Sequence, residues 1–498
     1  MNDPLDRRMR AVLEGAAQDL LIESHGRWVE RGVVAAIAQS LDARLAEAGV
    51  PEEAPIGLLA RNRLPHLSVL FGLLARRRTI MMLHAYQAPQ VLADDLRRLR
   101  LAAVVGDAED WVDERLAAAA AEVGTLALAV EGAAPVRPVP AAARPGEGPH
   151  HPLQPGVAIH MLTSGTTGTP KRVPIGYAML EAAVADAGLA TLQAGTAFTA
   201  APFIQLYPLG NISGLYGLIT CVSNGQRVVL IEKFSVAEWV RAVETYRPTT
   251  FVSLPPAAIR MVMDAGVPRE ALASIPAMRC GSAPLDAALQ VAFEERYDIP
   301  ILVNYGATEF CGVIAGWTID DHRAFAAAKR GSVGRARPGT QLRVVDPMTG
   351  DPLPSGETGL LEVLSDRLGG GWVRTTDLGV IDADGFLFLK GRADSIIIRG
   401  GFKVAPEAVA AVLREHPQVR DASVIGMPDA RLGEVPVAAV EPVIAEERPD
   451  EAALAAFARE RMAPQMVPVR FAILETLPRT QSMKVDRARV KALLEAGV

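Results

Sequence analysis

The chain of 498 residues is poor in cysteine: Cys221, Cys280 and Cys311 are all it has, with no CxxC pair and no place in a metal-ligand cluster. A disulfide framework and a structural zinc are thereby excluded as organising devices, and a reducing cytoplasm is the expected setting. A basic excess is also lacking. The formal charge of -6 gives no global positive field for gripping nucleic acid or anionic lipid, so any phosphate binding must be local. Long apolar runs are missing too. Leu67 to Ala75, the most apolar early stretch, ends in Arg76, Arg77 and Arg78, and it is about half the roughly 20 residues that an integral membrane segment needs. It reads as a buried helix. The start, MNDPLDRRMRAVLEG, lacks the apolar core and cleavage site of a secretion signal, so export is not expected.

What remains is a folded, enzyme-sized chain. Half of its residues are hydrophobic and 22% are charged, close to the soluble globular average. Its length calls for at least two domains on a scale of about 100 to 200 residues each. From Val33 to Ala46 and from Pro65 to Leu74 apolar residues recur at three and four positions, and LAAVV (101–105) is strand-like. The Pro/Ala/Gly-rich stretch 131–150 reads as a surface connector. Beyond it, RVVLI, TTFVSL and ILVNYG alternate with helical stretches such as SVAEWVRAVETY, which implies a parallel sheet flanked by helices. After Gly331, QLRVV, GLLEVL and GFLFLKG are separated by the turn signals DPMTGD, PSGETG and DADG, the texture of an antiparallel module. The last hundred residues return to helix and strand, and no internal repeat is visible.

The most informative segment is LTSGTTGTPKR, Leu162 to Arg172. Hydroxyl side chains and glycines in a turn let backbone N–H groups and hydroxyls converge on phosphate oxygens, and Lys171 adds a point charge. It is not a Walker loop, because Gly165, Gly168 and Lys171 do not fit GxxxxGK[ST]. The string resembles the phosphate-loop signature of the adenylate-forming superfamily, which includes acyl-CoA synthetases, aryl-CoA ligases, luciferases and the adenylation domains of peptide synthetases. That resemblance assigns Thr163, Ser164, Gly165, Thr166, Thr167, Gly168 and Lys171 to ATP.

Further signatures follow in order. CGSAPL is similar to the family's adenine-side turn and implies contacts from Gly281, Ser282, Ala283 and Pro284. NYGATE resembles its aromatic-Gly-x-Thr-Glu motif: besides Asn304 and Gly306, Tyr305 would stack on adenine, Thr308 touch the α-phosphate and Glu309 hold Mg2+. WVRTTDLG resembles the Arg-Thr-Gly-Asp segment, with Thr376 where glycine is usual and Asp377 as ribose acceptor. In KGRADSIIIRGGFK, Arg392 would reach the nucleotide, Asp394 act as hinge, and Gly400 and Gly401 pass the pantetheine arm of coenzyme A. LPRTQSMKVDRARV carries the C-terminal lysine signature, with Met483 where glycine is expected and Lys484 in register as the catalytic cation.

The family pattern implies a large N-terminal domain, 1–393, of helix-flanked parallel sheets with an antiparallel barrel-like module. A small mobile α+β C-terminal domain, 394–498, would complete it. The implied activity is a Mg2+- and ATP-dependent ligase that joins a carboxylic acid to a thiol through an acyl-adenylate. Coenzyme A is the favoured acceptor because the chain ends soon after Lys484, and a free-standing carrier protein stays open. The acyl pocket falls around Tyr207, Asn211, Gly214, Cys280, Cys311 and Gly312. In YPLGNISGLYG, Gly210 and Asn211 replace the aromatic and histidine of the family's gate, which opens space for a hydrophobic aryl or fatty acid. A phosphohydrolase or kinase and a catalytically silent nucleotide-binding protein are the competing classes. A homodimer is compatible with the sequence.

Overall fold

The computed structural model of the chain describes residues 4–163, 171–186, 201–249 and 251–497. Its largest sheet has seven strands in the order Arg137–Pro138, Leu126–Val130, Ala103–Asp107, Ile56–Leu59, Ile80–Leu83, Val157–Thr163 and Lys171–Gly176. The five inner strands run parallel and the two edges antiparallel. Ile56–Leu59, Ile80–Leu83, Ala103–Asp107 and Leu126–Val130 are buried at every position. A parallel sheet covered on both faces requires such continuous apolar runs. The helix Leu64–Ala75 is buried along its whole length, as its apolar sequence demands. Among the described residues no helix is long and apolar enough to cross a membrane. The connector 131–150 contributes only the short edge strand and one 3-10 turn, Pro140–Ala142.

A second sheet places Val252–Ser253, Met278–Cys280 and Ile301–Ala307 in parallel, then adds Gly312–Gly316 and Arg335–Ala336 antiparallel. A third joins Phe203–Gln205, Val228–Leu230, Leu20–Ser24 and Arg27–Glu30. The helix Val236–Tyr246 starts at Ser235, whose hydroxyl accepts the Glu238 N–H at 3.2 Å, an ordinary N-cap.

The four strands Thr340–Val345, Gly359–Ser365, Val373–Ile381 and Leu387–Arg392 form an antiparallel meander. Its turns close where the sequence signals them. Asp346 accepts the Met348 and Thr349 N–H groups, and Asp382 accepts those of Asp384 and Phe386. Beyond residue 396 the hairpin Ile397–Arg399/Phe402–Val404 and the long pair Val419–Asp429/Gly433–Pro442 build a further sheet, with Arg470–Ile473 parallel to the last strand. The helices Pro406–Arg414, Glu451–Arg461 and Arg487–Glu495 pack on it around cores of its own.

Candidate active site

Met278–Cys280 and Ile301–Ala307 are adjacent parallel strands, so the loops leaving their carboxyl ends lie side by side, where α/β sheets bind ligands. The first loop holds Gly281, Ser282, Ala283 and Pro284. A Cβ on Gly281 would come within 2.2 Å of Asn304 Oδ1, so glycine is what lets the two strand ends approach. Ser282 adopts a left-handed backbone, φ 71°. The second loop is a single 3-10 turn, Thr308–Phe310, in which Phe310 is buried and Glu309 is exposed.

The meander brings its share by register. Asp377 and Arg392 are cross-strand partners, and the Tyr305 hydroxyl donates to Asp377 Oδ2. Burial and the neighbouring charges of Asp377 and Glu309 hold the Tyr305 phenol far above its usual range, so it stays a donor. Arg392 donates to Asp394 through Nε at 3.0 Å and Nη2 at 2.7 Å. Burial works against its charge, but Asp394, Asp377 and Glu309 outweigh that and raise its pKa. Arg392 and Asp394 thus form a bidentate pair with each other at the start of the C-terminal region.

Lys484 completes the cluster. It sits on a tight loop in which Arg479 bridges to Val485 and the Thr480 N–H donates to the Lys484 carbonyl at 2.8 Å. Arg479 anchors that loop through Asp421 Oδ2 at 2.8 Å and the Met483 carbonyl at 3.3 Å. Two contacts seat the loop on the N-terminal part: Gln481 hydrogen-bonds Tyr86, and Met483 packs against the core that contains Tyr207 and Cys280. Arg420 adds an ion pair to Asp264 at 2.9 Å. Burial, then repulsion from Arg392, lowers the Lys484 pKa. The residue as a whole remains exposed to solvent.

Met483 has φ 59°, a left-handed conformation that glycine adopts without cost. The position where the family has glycine therefore keeps the glycine-like backbone, and the side chain's packing offsets the strain. Gly400 and Gly401 have φ 57° and 89° and form the two-residue turn of the hairpin Ile397–Val404, which needs positive φ at both positions. The hairpin alone accounts for these glycines.

Thr163 and Lys171 face each other across the antiparallel pair Val157–Thr163/Lys171–Gly176, at the mouth of the phosphate loop. The second of these strands packs beside Thr308–Phe310. Ser164, Gly165, Thr166, Thr167 and Gly168 lie outside the described residues, as does the Thr163 side chain.

The expected acyl pocket needs correction. Tyr207, Cys280 and Cys311 are buried in the core and are not among the residues that line the cleft at Asn304. Burial pushes the Cys221 and Cys311 thiols up to about 12 and Cys280 in the same direction, so all three remain protonated and unreactive. Gly214 is glycine because a Cβ would meet the Pro208 carbonyl at 2.3 Å, and Asn211 precedes the helix Ile212–Ser223. Gly312 lies against the Tyr216 ring, which a Cβ there would meet at 3.2 Å. The residues that line the cleft include Tyr216, Arg279, Asn304, Val313, Arg337 and Arg367. Arg337 and Arg367 lie in no motif and were missed; only their tertiary positions bring them here. Tyr86, which holds the Lys484 loop, was missed for the same reason.

The family model described as AMP-binding enzyme matches residues 15–371, and that for the AMP-binding enzyme C-terminal domain matches 408–484. The 2-succinylbenzoate--CoA ligase of Geobacillus kaustophilus (strain HTA426) is 31% identical over 91% of this chain and 90% of its own length. The 4-coumarate--CoA ligase-like 9 of Arabidopsis thaliana is 28% identical over 68% of this chain, and the match spans 62% of that relative. The solved structure of the amide bond synthetase McbA from Marinactinospora thermotolerans is 28% identical with a TM-score of 0.78, covering 99% of this chain and 100% of that one. With the signatures in sequence order and a family model spanning most of its length, the chain belongs to the AMP-binding enzyme family.

Proposed function

We propose that the protein activates a carboxylic acid with ATP as an acyl-adenylate and passes the acyl group to coenzyme A. The observation that carries this reading is the proximity of Tyr305, Glu309, Asp377, Arg392 and Lys484, drawn from separate stretches of chain, within reach of one another's charges. Relatives named as CoA ligases support it. In the first step an oxygen of the acid bonds to the α-phosphorus while the bond to pyrophosphate breaks. Lys484 supplies positive charge as the negative charge on the reacting oxygens redistributes, Thr308 donates to the α-phosphate, and Asp377 accepts from the ribose hydroxyls. Glu309 is the carboxylate that would hold Mg2+, and the ion would supply charge neutralisation for the phosphates when bound. No group of three or more metal-ligating side chains occurs among the described residues, and a phosphate-bound Mg2+ needs none.

In the second step a thiolate sulfur bonds to the acyl carbon, the bond to AMP breaks, and the thiol proton passes to solvent. The buried cysteines cannot serve, so the thiol is external. Residues 394–498 act as a domain that turns about Asp394, exchanging Lys484 for the hairpin bearing Gly400 and Gly401. Ile398 and Phe402 on that hairpin are exposed, at 45% and 59%, as a surface awaiting a second docked position would be. The hydrophobic acid expected from the sequence fits poorly with a cleft edged by arginines. An amine acceptor is the second reading, favoured by the similarity to McbA.

The direct test is pyrophosphate–ATP exchange over a panel of acids, then product analysis with coenzyme A or amines added. Exchange followed by thioester formation is expected. ADP production, or no exchange with any acid, sinks the reading. Met483 offers a finer check. Met483→Gly should release about 1 kcal/mol of backbone strain and lose apolar packing worth about as much, leaving the melting temperature nearly unchanged. The looser latch should raise the ratio of thioester formation to adenylation in single-turnover measurements.

A further inference from the structure

The cleft next to Asn304 differs from an ordinary apolar pocket in its charge. Arg279, Arg337 and Arg367 all line it, and among the described residues no carboxylate does. Arg367 Nη2 donates to the Val313 carbonyl at 2.8 Å. The guanidinium groups of Arg279 and Arg337 make no hydrogen bond or ion pair with any described residue. The Arg279 guanidinium lies 3.4 Å from the centroid of the Phe251 ring, an arrangement that covers its face and leaves its N–H edge free to donate in plane.

We propose that this cleft is a subsite for a second anionic group on the acid substrate, a carboxylate remote from the one that is activated, received by Arg279 and Arg337. The inference rests on the acid-activating reading above and names its substrate class as dicarboxylic.

Three arguments carry it. First, a guanidinium withdrawn from water without a counter-ion is costly, and proteins retain such a group where a partner arrives from outside. Burial, and then repulsion from Arg337, bring the Arg279 pKa down to about 10, offset only in part by Tyr216 and Cys221, and no carboxylate among the described residues adds to that. Second, the cleft encloses about 50 Å³, room for a few waters or one compact polar group and not for a long alkyl chain. Third, its position suits a distal carboxylate. Asn304 and Tyr216 line it; Asn304 belongs to the strand that carries Tyr305, and the Tyr216 ring lies against Gly312, two residues past the turn that carries Glu309. With one carboxylate activated at Lys484, the other would be received by the arginines. A purely apolar tail would leave the Arg279 guanidinium desolvated without a carboxylate partner among the described residues.

The experiment compares succinate, glutarate and phthalate with their monomethyl esters, and with butyrate and benzoate, as substrates for pyrophosphate–ATP exchange. Wild-type protein should favour diacids over their esters by about 100-fold in kcat/KM, the usual scale for a desolvated charge pair. Arg279→Gln and, separately, Arg337→Gln should abolish most of that preference while sparing the esters. Esters or monoacids used as well as diacids by wild type, or variants that slow every acid equally, would overturn the subsite and leave the acid-activating reading intact. If no acid supports exchange, that reading fails instead. The subsite is then judged by thermal shift: diacids should raise the melting temperature of wild type and not of Arg279→Gln. Equal shifts, or none in either protein, would overturn it.

Discussion

Lys484→Ala is expected to slow pyrophosphate–ATP exchange by roughly 100- to 1,000-fold, the usual loss when one preorganised charge donor is removed from a transition state. Thioester formation from supplied acyl-adenylate should survive, because the leaving of AMP does not call on the ammonium. An equal fall in both half-reactions would refute the assigned role. The environment adds a pH signature. Burial and Arg392 both disfavour the charged form, so the proton is lost at lower pH than from an ordinary lysine. The charge is present below that lowered pKa and vanishes above it, so adenylation should decline as pH rises through it. In Lys484→Arg this alkaline limb should disappear, since guanidinium keeps its charge.

Gly306→Ala should be nearly as damaging by a different route. The new Cβ would lie 2.1 Å from the Gly312 carbonyl oxygen, backbone that cannot swing aside as a side chain would. The strands Ile301–Ala307 and Gly312–Gly316 must therefore separate just where they present Tyr305, Thr308 and Glu309. Overpacking of this kind costs about 3 kcal/mol, so a clear drop in melting temperature is expected. With the catalytic turn displaced by even a fraction of an ångström, adenylation should fall by about 100-fold. Gly210→Ala is the control, because nothing lies within 4 Å of a Cβ there and no change is expected. A wild-type melting curve and rate for Gly306→Ala would show that the hairpin tolerates what its geometry forbids.

Much of the site was legible in the chain because the chemistry is written in short contiguous strings. The Thr308–Glu309 turn, the Gly281–Pro284 loop and the Lys484 loop each sit at the end of a strand or in a tight hairpin whose turn residues the sequence announces. The role of Met483 was half legible. Its sequence showed a departure from glycine, while only the coordinates reveal that it keeps the left-handed backbone and packs into the opposing core. The expectation for Cys280 and Cys311 went wrong for a related reason. Neighbours in sequence to pocket residues point alternately to either side of a strand or turn, and these two face the core.

The sequence by itself determined the family, the alternation of strands and helices, and the residue types that can grip a triphosphate, because periodicity and turn chemistry are local. Tertiary structure alone decided which distant groups share a dielectric environment. Cross-strand register pairs Asp377 with Arg392, the docked C-terminal loop puts Lys484 beside Arg392, and folding assembles Arg279 and Arg337 at one cleft that no carboxylate among the described residues lines. Electrostatic meaning depends on distance and burial, and neither is a property of a linear string.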